Sequence, residues 1–327
     1  MKIGVFEVRA DEARCLENLQ QELGFEAVIR QEPLTLENAE LVRGCQGISI
    51  LGQSRMDEKL LEKLRELGVV CLTTRTVGYN HIDLEAARKL GVQVCNVSYG
   101  PESVADYTIM LLLLLLRNYK PALYRQNVND YSLAGLMGRQ VKNLTVGVVG
   151  TGRIGLKVME ELSGFGCRIL ASDPYPNEKA RQYGTYVPLE QLWRESDCIT
   201  LHAPLTTENY HMINRETLAL MKDGVILLNC ARGPLMDTEA VIQAVEDKKI
   251  GRLGMDVIEE EEGIYHMDRR DDILKNRPMA YLRQFPNVVM TQHLAFYTEE
   301  AVESMVEGGI RNLCGMIGGE KVPGLLC

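Results

Sequence analysis

The stretch TVGVVGTGRIGLKVMEEL, residues 145–162, restricts the fold of this chain more than any other. A β-branched apolar run leads into Gly150, Gly152 and Gly155 at GxGxxG spacing, and a helix-forming segment follows. The first glycine permits a tight turn, the second lets the backbone approach a pyrophosphate, and the third lets the helix pack closely on the strand. A second apolar run, CRILASD, then ends on Asp173, eighteen residues past Gly155. That succession of strand, turn, helix and strand turns a bare glycine spacing into a dinucleotide site. Asp173 suits the adenine ribose hydroxyls, its charge repels a 2′-phosphate, and no arginine follows it, so NAD is favoured over NADP. An aspartate before Pro174 is also an ordinary turn former, a reading that leaves the choice of cofactor open.

The rest of the chain repeats this alternation. KIGVF, EAVI, GISI, VVCL and VQVC are strand candidates in the first hundred residues, separated by helical segments that Gly68 and Gly91 close. A second series begins at LTVGVV and runs through CRILASD, CITLHAP, GVILLNC, GRLGMDV and NVVMT. Both series carry the pattern of a parallel sheet with crossover helices, and 327 residues exceed what one core usually supports. The expectation is an α/β protein of two doubly wound parallel-sheet domains. A helix over about 298–317 and the GGEKVPGLLC tail are placed to return to the first.

A net charge of −9 excludes nucleic acid or an anionic membrane as the main partner. The start lacks the charged-then-apolar pattern of an export leader, which reads as cytoplasmic. Nine cysteines without CxxC spacing read as reduced core residues, and no metal site is implied. TIMLLLLLL, residues 108–116, is far shorter than the ~20 residues of a membrane-spanning helix. The helix 103–117 that contains it is expected at a homodimer interface, with burial against the chain's own second domain as the alternative.

In open α/β sheets, ligands gather beyond the carboxyl ends of the strands. In the second series those ends carry His202, Arg232, Asp256 with the acidic run Glu259–Glu262, and His293. Arginine can grip a carboxylate or polarise a carbonyl, and histidine can move the proton of a hydroxyl as hydride leaves or enters C2. A carboxylate on the far imidazole nitrogen would orient that histidine. Singly, each has another use: Arg232 as a turn residue, the glutamates as a solvated loop, His202 as a shaper of the loop under the cofactor.

In these residues and the motifs around them, the chain resembles the D-2-hydroxyacid dehydrogenases, in particular the D-lactate dehydrogenase branch. The similarity is carried by RTVGYNHIDLEAARKLG, NVSYGPESVADYT, TVGVVGTGRIG, ITLHAPLT, NCARGPLMDT, LGMDVIEEEE and QHLAFYTEEA. RTVGYNHID and SVADYTIMLLLLLLRN are most similar to the D-lactate dehydrogenases of glycopeptide-resistance clusters. The resemblance implies Arg232 as substrate-binding arginine, His293 as general acid/base and Glu261 as its partner. It also implies Val77 and Gly78 as the cradle of the substrate carboxylate, Tyr99 and Tyr297 near the pocket, Arg153 and Ile154 at the pyrophosphate, and Asp256 near the nicotinamide. Three departures stand out: Gln292 where the family usually has proline, Cys230–Ala231 in place of a small polar pair, and Asp173, unlike the resistance-cluster enzymes.

The expected architecture is a flavodoxin-like substrate domain, 1–100 plus 298–327, and a Rossmann domain, 101–297, with a cleft that closes over the site. The expected reaction is NADH-dependent reduction of a small 2-keto acid, pyruvate or a close homologue, to the (R)-2-hydroxy acid. Leu51, Gly52 and Tyr297 are expected to border the side-chain pocket. Enzymes of the 2-hydroxyisocaproate, hydroxypyruvate, phosphoglycerate or formate type are alternatives. Formate oxidation releases no hydroxyl proton and has no need of a Glu261–His293 pair. An NAD-sensing interaction protein on the same scaffold is the rival of a different class.

Overall fold

The computed structural model describes all 327 residues, which form two compact units: Met1–Gly100 with Tyr297–Cys327, and Pro101–Phe296. Each unit is a purely parallel sheet with helices, the α/β class that the alternation predicts.

In the first unit β1 (Lys2–Val5), β2 (Glu26–Ile29), β3 (Gly47–Ile50), β4 (Cys71–Thr74) and β5 (Gln93–Cys95) lie in the order β2-β1-β3-β4-β5. Strands β3 and β4 are buried throughout, as expected where helices cover both faces of a parallel sheet. The helices are α1 (Ala13–Leu23), α2 (Glu58–Glu66), α3 (Leu84–Leu90) and the C-terminal helix Glu299–Ile317. This last helix presses on β3 so closely that a Cβ on Gly47 would lie 2.7 Å from Leu313. The tail then runs antiparallel beside β5, with Leu326 N–H donating to the Val94 carbonyl at 2.8 Å and Val94 N–H to that of Cys327 at 3.0 Å.

A buried ion pair ties the carboxyl ends of this sheet together. Arg75, just after β4, donates to Glu12 (3.2 and 3.3 Å), to Ser49 Oγ in β3 (3.2 Å) and to the Phe6 carbonyl after β1 (2.9 Å). Both charges are buried, so removing Glu12 would leave the Arg75 charge uncompensated at a cost of about 3–5 kcal/mol. The loop carrying Val77 and Gly78 starts from this anchor.

The second unit contains α4 (Glu102–Leu116), α5 (Tyr119–Asn127), β6 (Thr145–Val149), α6 (Arg153–Ser163), β7 (Arg168–Ser172), β8 (Thr185–Tyr186) and α7 (Leu189–Glu195). It continues with β9 (Cys198–Leu201), α8 (Arg215–Leu220), β10 (Val225–Asn229), α9 (Thr238–Glu246), β11 (Ile250–Met255), α10 (Arg277–Leu282) and β12 (Val288–Met290). Its sheet runs β12-β11-β10-β9-β6-β7-β8, so the order reverses at β6 and β9. The sequence alternation left out α5 and the segment up to residue 140, where Tyr131, Leu133 and Met137 are exposed.

One face of α4 is buried in its own unit, through Ala105, Leu111, Leu112, Leu115 and Leu116 against residues of β6, β10 and α6. Thus the run of leucines is divided: the chain's own sheet covers one side. The other side lines a shallow groove of about 650 Å³ with Ile109, Met110, Leu113, Leu114 and Phe165. No helix is long and apolar enough to cross a membrane.

Candidate active site

Two of the three glycines in the turn leave no room for a side chain. Gly150 holds φ +91°, and a Cβ there would lie 2.7 Å from the carbonyl carbon of His202, which follows β9. Gly155 is closer still, since its Cβ would fall 1.9 Å from the Gly150 carbonyl oxygen. Gly152 differs: nothing of the protein lies within 4 Å of the position a Cβ would take. No side chain caps the start of α6 at Gly152, and the positive end of the helix dipole there favours an anion. A tight turn, an uncapped helix start and open space at the middle glycine fit a bound dinucleotide. Arg153 and Ile154 are the first two residues of that helix.

Asp173, at the end of β7, secures the turn. Its Oδ2 accepts from Thr151 N–H (2.6 Å) and Thr151 Oγ1 (3.2 Å), and its Oδ1 from Tyr175 N–H (2.7 Å). The Tyr186 hydroxyl donates to Thr151 Oγ1 at 2.6 Å and completes the network. Thr151 and Tyr186 went unread in the sequence because the fingerprint names only glycines and the acid. His202 lies beneath the turn with Nε2 2.8 Å from Thr200 Oγ1, and its Nδ1 is buried without a partner. Burial pulls its pKa down to about 3, so this imidazole stays neutral at working pH.

Strands β10, β11 and β12 are neighbours, and their carboxyl ends deliver three interlocked loops. The first carries Arg232, whose carbonyl accepts from Asn229 Nδ2 at 2.9 Å and whose Nη1 donates to the Ala231 carbonyl at 2.6 Å. Its neighbour Gly233 sits so close to the second loop that a Cβ would lie 2.2 Å from the Ile258 carbonyl carbon. Three residues beyond Ile258 comes Glu261, whose Oε2 accepts from Ile258 N–H at 2.8 Å. Its other oxygen, Oε1, is 2.5 Å from Nδ1 of His293 on the third loop.

Of the four glutamates, then, Glu261 is the one hydrogen-bonded to His293. Glu259 instead faces His211 Nε2 at 2.6 Å and accepts from Thr238 Oγ1 at 2.6 Å. With Nδ1–H donated to a carboxylate, the tautomer of His293 is set, with Nε2 the nitrogen opposite that bond. Tyr265 lies nearby with its phenol held neutral, its pKa raised by burial and by the charges of Glu261 and Asp256.

Asp256 is wholly buried, and its carboxylate serves the His293 loop. Its Oδ1 accepts from Thr291 Oγ1 (2.6 Å) and Leu294 N–H (3.0 Å), and its Oδ2 from Ala295 N–H (2.8 Å). His293 itself has a left-handed backbone, φ 54°, with its N–H donated to the Asp256 carbonyl at 2.7 Å. These bonds hold the loop on both sides of His293.

Val77, Gly78, Tyr99 and Tyr297 all belong to the first unit. The Val77–Gly78 loop is held by its own carbonyls: Thr76 Oγ1 donates to that of Gly78 at 2.6 Å and Asn96 Nδ2 to that of Val77 at 2.7 Å. The Arg9 guanidinium lies 5.3 Å above the ring of Tyr297. Beside Leu51 and Gly52, the buried Glu7 accepts from Gln53 N–H (2.8 Å), Ser54 N–H (2.9 Å) and the Ser54 hydroxyl. Glu7 escaped the sequence reading, since a glutamate following β1 resembles any surface acid.

Fold and glycine turn together define an NAD-binding protein of the doubly wound class, with a hydrogen-bonded carboxylate–imidazole pair beyond the ends of neighbouring strands. Residues 109–295 match the family model of the D-isomer specific 2-hydroxyacid dehydrogenase NAD-binding domain, and the chain belongs to that family of NAD-dependent oxidoreductases. It is 45% identical over 315 residues to an aromatic 2-oxoacid reductase of Clostridium sporogenes, covering 96% of this chain and 95% of the relative. It is 38% identical over 325 residues to D-lactate dehydrogenase of Escherichia coli, covering 99% of each. Among solved structures it resembles the NAD-complexed D-isomer specific 2-hydroxyacid dehydrogenase of Lactobacillus delbrueckii ssp. bulgaricus, with a TM-score of 0.85, 29% identity and full coverage of both chains.

Proposed function

We propose that this dehydrogenase reduces a small 2-keto acid, pyruvate or a modestly larger homologue, to the (R)-2-hydroxy acid. The single observation that carries the reading is the 2.5 Å hydrogen bond between Glu261 and His293, on a loop interlocked with that of Arg232. The dinucleotide, when bound, supplies hydride to C2. Arg232 grips the substrate and draws charge toward the keto oxygen through its planar N–H fork. His293 gives the proton on Nε2 to that oxygen, so one hydride and one proton make the alcohol. Glu261 lies opposite the imidazolium and keeps its ring oriented. Gly150, Gly152, Gly155, Arg153 and Ile154 hold the pyrophosphate, Asp173 the ribose, and His202 supports the turn from below.

A second reading, an aromatic 2-keto acid as substrate, is favoured by the name of the Clostridium sporogenes relative and by Phe296, 6.4 Å edge-on from the His293 ring. NADH oxidation measured with pyruvate, 2-ketoisocaproate, hydroxypyruvate and phenylpyruvate separates the two. We expect kcat/KM for pyruvate at least tenfold above that for phenylpyruvate; the reverse order establishes the aromatic reading.

The groove beside α4 supports a homodimer in which a second copy covers Met110, Leu113, Leu114 and Phe165. Leaving such a patch in water forfeits roughly 25 cal/mol for each Å² of apolar surface. Light scattering is expected to give twice the 36.7 kDa chain mass, and a monomer mass removes the dimer.

A further inference from the structure

We propose that His266 is a positioning residue for His293, an inference that rests on the acid/base role just assigned. Its Nε2–H donates to the main-chain carbonyl of His293 at 2.8 Å. Its ring lies 5.9 Å from the His293 ring and 5.9 Å, edge-on, from Phe296, which is itself edge-on to His293. Two rings, those of His266 and Phe296, therefore pack in mutually tilted contact beside the reacting imidazole.

The placement of His266 in the chain gives this contact its consequence. His266 follows directly on a turn in which the Glu261 carbonyl accepts from Ile264 N–H (3.0 Å) and Tyr265 N–H (3.1 Å). One short segment thus holds His293 twice: Glu261 takes the side chain and His266 takes the main chain. Both histidines have left-handed backbones, φ 62° for His266 and φ 54° for His293. Such a conformation persists in a non-glycine residue where its surroundings fix it. With Gln292 in the place of proline, nothing in the covalent chain before His293 restricts the turn, so the restraint comes from hydrogen bonds. Asp256 supplies those on the N–H side, and His266 supplies the one on the carbonyl.

A side-chain-to-carbonyl bond contributes modestly to stability, whereas a displacement of about 1 Å at a reacting group can slow turnover by about a hundredfold. The effect should therefore appear in kcat. His266→Phe keeps an aromatic ring and removes the donor; His266→Gln restores a donor at similar reach. We expect His266→Phe to lower kcat about tenfold with the KM for NADH within twofold, and to raise the solvent deuterium isotope effect on kcat as proton transfer becomes slower. His266→Gln should return to within about threefold of the parent. In a His293→Ala background, His266→Phe should cause no further loss, because it acts through the missing imidazole. A parental kcat and isotope effect in His266→Phe, equal impairment in His266→Gln, or an additive loss in the double variant overturns the proposal. Near-normal turnover in His293→Ala removes the acid/base reading and this proposal with it. A crippled His293→Ala beside an unaffected His266→Phe removes this proposal alone.

Discussion

His293→Ala is expected to lower kcat about a thousandfold, within the range general acid–base groups contribute and equivalent to about 4 kcal/mol of barrier. The affinity for NADH should change by no more than about twofold. His293 follows β12, and the glycine turn follows β6, four strand spacings away in the order β12-β11-β10-β9-β6, or roughly 19 Å. Loss of the imidazole therefore leaves the glycine turn untouched. Glu261→Gln should fall between the two, near a hundredfold. Its amide can present N–H to Nδ1, where the carboxylate can only accept, and so can trap the wrong tautomer. Steady-state rates with the best keto acid, beside a fluorescence titration of NADH, measure both quantities. Near-normal turnover in His293→Ala would assign the proton to another group.

Much of this arrangement is legible in the sequence because it depends on short-range rules. Parallel strands buried on both faces read as largely apolar runs; GISI matches β3 residue for residue, whereas VVCL starts two residues ahead of β4, whose buried threonines carry no apolar signal. The glycine turn is legible for a similar reason: Gly150 and Gly155 leave no room for a side chain, Gly152 stands open between them, and the spacing survives in the sequence. The strand ends then follow from topology, which is how Arg232, Asp256 and His293 could be picked without coordinates.

What stayed hidden depends on pairings across long separations. Nothing in EEEE distinguishes Glu261 from Glu259; the resemblance selected the former, and geometry separates them only because His211 lies 48 residues from one and His293 lies 32 from the other. Glu7 reaches Ser54 across 47 residues, and His266 reaches His293 across 27. Such contacts have no period and no local composition to announce them. For α4 the apolar run was plain, yet the sequence could not divide its faces between the chain's own sheet and the outer groove.

Glycines 152 and 155 offer a contrast that tests the cofactor site apart from the chemistry. In Gly155→Ala the new Cβ would lie 1.9 Å from the Gly150 carbonyl oxygen, a backbone atom that cannot swing aside. Either α6 must back away from β6 or the turn must deform, at about 1–3 kcal/mol or more. That variant should melt several degrees lower and bind NADH at least a hundredfold more weakly, since the helix start and the turn lose their register. In Gly152→Ala the protein leaves the Cβ unobstructed, and φ there is −62°, comfortable for any L-residue. Its melting temperature should match the parent while its NADH affinity falls tenfold or more, because the methyl group occupies the approach to the pyrophosphate. Thermal melts and NADH titrations of the two variants decide the matter. Parental NADH affinity in Gly152→Ala would mean that the dinucleotide does not lie against this turn, whatever the rates of the His293 variants.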